Sequence, residues 1–176
     1  MRHCLLLPSL VALAAATLPA HAQHAHGEAK LEVVIDKDSI AIKLELPLDS
    51  AVGFERAPKN EREKAALAAA DKTLKDAAAL FMPTSAANCM LRSMEIQVPF
   101  TGGADNHAHH AHEGETHHAD IDANYVFRCA NPSALKGIET TIFKNFKRLY
   151  RLEAQRVGPT GQGKQRLTPK NPVLSW

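Results

Sequence analysis

The sequence predicts an α+β domain: a largely antiparallel sheet or sandwich of about seven strands with one main helix. Three observations carry that prediction. Short runs of alternating apolar and polar residues recur from residue 29 onward. A single stretch, near residues 61–80, combines strong helix formers with apolar residues one heptad apart. Turn residues such as Pro, Gly and Asn separate the alternating runs, and no internal repeat is present.

From Ala29 to Ile35, Leu31, Val33 and Ile35 point one way, while Lys30 and Glu32 point the other. The turn Asp36-Lys37-Asp38-Ser39 leads into a second alternating run, Ile40 to Leu48, and the two should form a hairpin. Pro47 lies near the end of that run, where a missing N–H is tolerated. Residues 51–58 read as an irregular connection. Asn60 can cap a helix from Glu61 to about Leu80, with Glu61 and Glu63 at its positive end. Met90–Phe100 returns to strand alternation, with Met94, Ile96, Val98 and Phe100 on one side. After a His-rich loop at 101–118, Ile121, Ala123, Tyr125, Phe127 and Cys129 alternate with His118, Asp120, Asp122 and Asn124. Period two places His118, Asp120 and Asp122 together on the face opposite the core. Three further strand-like runs, 137–146, 149–157 and 163–168, complete the sheet.

Residues 1–22 read as a secretory signal peptide. Arg2 and His3 give a weakly positive start, and Leu5 to Leu18 is apolar but too short to span a bilayer comfortably. Ala20 and Ala22 form an A-x-A cleavage site, which argues against the alternative of a buried N-terminal helix. Cleavage leaves residues 23–176 as one exported domain and removes Cys4. No other apolar run is long enough to span a bilayer, so no membrane insertion is expected after cleavage. The formal net charge is only +2 with charges interspersed, so neither nucleic acid nor an acidic substrate is indicated.

Two cysteines remain, Cys89 and Cys129. An even count in an exported chain favours a disulfide, closing a loop of about 40 residues and worth ~4 kcal/mol by chain entropy. The alternative is that both thiols bind metal.

Six of the ten histidines, His107, His109, His110, His112, His117 and His118, fall within twelve residues. Their neighbours are small or acidic, so a core-packing role does not suit them. Imidazoles on such a chain can wrap a borderline transition metal, with Zn²⁺ the first expectation and other divalent transition metals acceptable to the same donors. A low-complexity linker or an expression tag is the bland alternative; a tag is normally terminal and uniform, whereas this tract is internal and mixed. Three ligand groups are available: the loop proper, the pair His24 and His26, and His117, His118 and Asp120 with Asp122 at a strand start. If the first strand extends backwards, His24, His26 and Glu28 share a face. A site joining His24 or His26 to His118 and Asp120 then requires those two strand ends to be neighbours. A frayed terminus for the first pair and a solvated face for the acids are the competing readings.

With these residues in view, the chain resembles the ZrgA family of periplasmic zinc-binding proteins. The likeness rests on His26-Gly27, Gly53-Phe54-Glu55 with Pro58, and Cys89. It continues through His117-His118-Ala119-Asp120, Tyr125-Val126-Phe127-Arg128-Cys129 and Asn131-Pro132. Phe143, Phe146, Gly161-Gln162 and Leu167-Thr168-Pro169 complete it. The resemblance implies zinc acquisition in a periplasm, with metal on His24, His26, the loop histidines, His117, His118 and Asp120. One departure is Arg56, where relatives carry His. The receiving partner would be a zinc importer or its solute-binding protein. Competing readings are a copper or nickel buffer, the solute-binding component of a zinc ABC importer, which normally needs two larger lobes, and a metal-independent adaptor. An enzyme is not expected: G-x-S-x-G, H-E-x-x-H and a phosphate-binding Gly loop are all missing.

Overall fold

The computed structural model describes residues 27–101 and 119–176. Strands β1 (Glu28–Asp36) and β2 (Ser39–Pro47) form the expected hairpin. A five-residue helix α1 (Leu48–Val52) follows, then α2 (Glu61–Lys75), α3 (Ala77–Leu80) and β3 (Phe81–Pro83). The chain continues through β4 (Cys89–Gln97), β5 (Asp120–Cys129), β6 (Gly137–Thr140) and α4 (Ile142–Asn145). It ends with β7 (Arg151–Gly158), β8 (Gly161–Leu167) and β9 (Val173–Ser175).

These strands make a six-stranded sheet in the order β4-β5-β2-β1-β7-β8 and a three-stranded sheet β3-β6-β9. Every pairing is antiparallel except β1 with β7. The large sheet buries one face. Leu31 and Val33, Ile40 to Leu46 at alternate positions, Ile121, Ala123, Tyr125, Phe127, Leu152 and Ala154 all point inward and are almost fully buried. Against them pack Leu67, Ala70 and Leu74 of α2, Leu80, Phe81, and Ile138, Ile142, Phe143 and Phe146. The α+β expectation therefore holds, with nine strands among the described residues where about seven were expected.

Three local expectations fail for physical reasons. The helix over 61–80 breaks at Asp76, where φ is −88° and ψ is 60°. The Tyr125 hydroxyl, buried beneath it, donates to the Leu74 carbonyl at 2.9 Å and takes the acceptor that a continuing helix would use. The strand over 137–146 turns into α4 after Thr140, whose Oγ1 accepts from the Ile142 N–H at 3.2 Å. Ile142 and Phe143 are then both buried, which a strand's alternation would forbid. The alternation of 90–100 is interrupted by a bulge between Leu91 and Ser93, and β4 stops at Gln97. Met94 and Phe100 are consequently about half exposed, and Phe100 adopts φ +65°.

Cys89 and Cys129 are joined by a disulfide directly across β4 and β5. The bond lies at the base of this pair, opposite the end where Gln97 faces Asp122 and the loop departs. It therefore pins the far end of the two strands and not the loop's own ends, and its sulfurs are not available as thiolate ligands. The buried cation Arg156 is satisfied by the Gly161 carbonyl at 2.9 Å, Thr160 Oγ1 at 3.3 Å and the ring of Trp176, 5.3 Å from its Cζ.

Candidate metal centre

β1 and β5 flank β2 on opposite sides, and both run antiparallel to it. They are therefore parallel to each other and begin at the same end of the sheet. Asp120 stands opposite Pro47 on one side, and the register of β1 brings Glu28 level with Pro47 on the other. Two strand spacings separate the two starts, about 10 Å.

Helix α1 ties both starts together. It begins directly after Pro47, and its Leu48 N–H donates to the Ala119 carbonyl at 2.9 Å. Its fully buried Ser50 accepts, on Oγ, the Gly27 N–H at 3.0 Å. The Gly27 carbonyl accepts in turn from Tyr150 N at 2.9 Å and Arg151 N at 3.2 Å. So the residues that follow His26 and His118 in the chain are both fastened to one five-residue helix. Gly53 at φ +90° closes that helix. The Arg148 guanidinium clamps its side, donating to the Asp49 carbonyl at 2.9 Å and to the Asp49 carboxylate at 3.1 Å.

The other end of the loop leaves β4 through Phe100 and Thr101. These residues line a shallow groove of about 340 Å³ against Pro58, Lys64, Leu67 and Asp71. The solvent face near this end is acidic but largely paired. Glu28 bonds Arg151, while Glu45 receives Lys43 at 2.7 Å and Lys30 at 3.2 Å. The Lys43 hydrogen bond is the largest influence holding the Glu45 carboxyl below its ordinary range. Asp120 and Asp122 are half-buried on the same face, as the alternation predicts.

Among the described residues there is no histidine, and no three His, Cys, Asp or Glu side chains converge. His24, His26, His107, His109, His110, His112, His117 and His118 lie outside the described residues, as does the loop over 102–118. Asp120 is the one expected ligand that is described. β1 begins at Glu28, after Gly27 at φ +79°, and the backward extension through His24 and His26 lies outside the described residues. The α1 anchor escaped sequence reasoning. A glycine following His26 was the only trace of it; a buried Ser50 leaves none.

Arg56 has a structural occupation. It chelates Glu63 at 2.7 and 2.9 Å, with its Cζ 5.2 Å from the Phe54 ring. Glu63 also accepts from Lys59 N at 2.7 Å, and its own N–H donates to the capping Asn60 at 2.9 Å. Arg56 first, then the Lys59 N–H, push the Glu63 carboxyl down to about 2.

A comparison with curated proteins finds no match. A family model described as ZrgA family zinc uptake protein matches residues 23–176, nearly the whole chain. The chain belongs to the ZrgA family of zinc uptake proteins.

Proposed function

We propose that this protein captures Zn²⁺ outside the cytoplasm and assists its import, without catalysing a reaction. The loop histidines, His107, His109, His110 and His112, collect the ion with modest affinity, because ordering a loop around metal costs conformational entropy. A tighter site forms across the end of the sheet that the two strand starts share, from His24 or His26 together with His117, His118 and Asp120. The observation that supports this reading is the shared anchoring on α1 of Gly27 and Ala119, the residues that follow His26 and His118 in the chain. Tetrahedral zinc needs three or four donors, and the pair His24 and His26 cannot supply them alone. The family match begins at Gln23, the residue after the proposed cleavage point, which supports a periplasmic, processed protein. Among the described residues no helix is long and apolar enough to cross a membrane. The recipient is a zinc importer or its solute-binding protein. Copper and nickel remain acceptable to the same imidazoles, and zinc is favoured by the family.

A competitive zinc titration of residues 23–176, with and without residues 107–112, tests the reading. Tight binding should survive the deletion and fall by tenfold or more, ~1.4 kcal/mol, in a His118→Ala, Asp120→Ala variant. Binding should also weaken as pH falls through about 6.5, where imidazole protonates. Loss of all binding on deleting the loop would sink the composite site, and unchanged affinity from pH 7.5 to 5.5 would sink imidazole ligation.

A further inference from the structure

The solvent face of the large sheet carries an ordered pattern that zinc capture does not use. Among the described residues, its side chains in the rows below are exposed or half-buried over β2, β1, β7 and β8. Reading across the strands, Val126, Ala41, Val34 and Val157 stand in one row, with Val34 49% and Val157 53% exposed. The next row carries Glu95, Asn124, Lys43, Glu32, Gln155 and Lys164 in strand order. The row beyond it carries Asp122, Glu45, Lys30, Glu153 and Arg166. Within these two rows the face is thus acidic toward the β4 edge, at Glu95 and Asp122, and basic toward the β8 edge, at Lys164 and Arg166.

We infer that this face binds a second copy of the same chain, sheet on sheet, about a two-fold axis that lies along the strands between β2 and β1. Such an axis exchanges β2 with β1, β5 with β7 and β4 with β8. Val126 then meets the partner's Val157, and Ala41 meets the partner's Val34, so the apolar row covers itself. Lys43 meets the partner's Glu32, Glu45 the partner's Lys30, and Glu95 the partner's Lys164. One like-charged pair arises, Asp122 over the partner's Glu153. It is relieved by Lys43, which Asp122 already influences, and by Arg166, 2.8 Å from Glu153 in its own chain. A two-fold axis across the strands would instead stack the acidic half on itself, so charge selects the first axis. Aligned packing of two twisted sheets accommodates this geometry. Six strands span about 24 Å and the patterned rows about 20 Å, on the order of 500 Å² per copy. That sits near the lower limit for a specific interface and fits a transient dimer.

The test is sedimentation equilibrium of residues 23–176 from about 1 to about 500 µM, a range suited to transient interfaces, with a chelator present so that metal cannot bridge chains. The expected result is a concentration-dependent monomer–dimer equilibrium that Val34→Glu abolishes. Glu95→Lys and Lys164→Glu should each weaken it about fivefold or more, and the double variant should recover it. Glu95 and Lys164 occupy opposite edges of one sheet, so only contact between copies can produce that recovery. A monomer throughout, a dimer indifferent to Val34→Glu, or a double variant no tighter than the singles would overturn the inference.

Discussion

Gly27 shows how one residue can hold a site in place. A Cβ there would stand 2.0 Å from Tyr150 Cε1, on a backbone at φ +79°. Gly27→Ala should cost about 2–3 kcal/mol, from the clash and the left-handed backbone together. Adding Tyr150→Ala should relieve the clash with the ring and leave about 1 kcal/mol of backbone cost. Urea unfolding of the two variants checks this, and equal stabilities would contradict it. Arg56→Ala should let the Glu63 carboxyl rise from about 2 toward its ordinary 4.5, followed by NMR titration. The sign is that of a depressed carboxylate: the pairing stabilises the fold above 4.5 and fades as pH falls toward 2, so the variant's deficit should vanish in acid. At this scale the histidines stand out because composition alone marks them as candidate ligands. The partner of Arg56 was not, since a cation seven residues from an acid has no necessary contact with it.

Among the elements, β1, β2 and β5 were readable because each buries one face against a core and leaves the other wet, which writes a period of two into the sequence. The break at Asp76 was not, because its cause, the Tyr125 hydroxyl, comes from 51 residues away. The hidden helix α1 is too short to show periodicity, yet it receives both Gly27 and Ala119. The disulfide belongs to this scale too. Replacing both Cys89 and Cys129 by Ser should lower stability by about 2–4 kcal/mol, since the bond closes a separation of 40 residues. Zinc affinity should hold, because the bond sits at the opposite end of β4 and β5 from the loop. Calorimetry with and without zinc separates the two effects; a large fall in affinity with intact folding would show that the bond shapes the metal site.

For the whole molecule, the class of fold followed from alternation plus one helix, but strand order did not. Periodicity says which face is buried and is silent about neighbours. The starts of β1 and β5 are not neighbours, since β2 lies between them, and that they share one end of the sheet was visible only from the strand order. The pairing of β1 with β7 carries a consequence for how the protein is made. The first strand of the chain sits inside the sheet, and one of its two ladders waits for Arg151–Val157. During N-to-C synthesis β1 and β2 can zip together at once, while the other edge of β1 stays bare until nearly the whole chain has emerged. Native assembly is thus a late event. The anchor at Gly27, which borrows its two N–H donors from Tyr150 and Arg151, matures only with it. A partly made chain carries every histidine of the sequence but lacks the clasp at Gly27, the residue after His26.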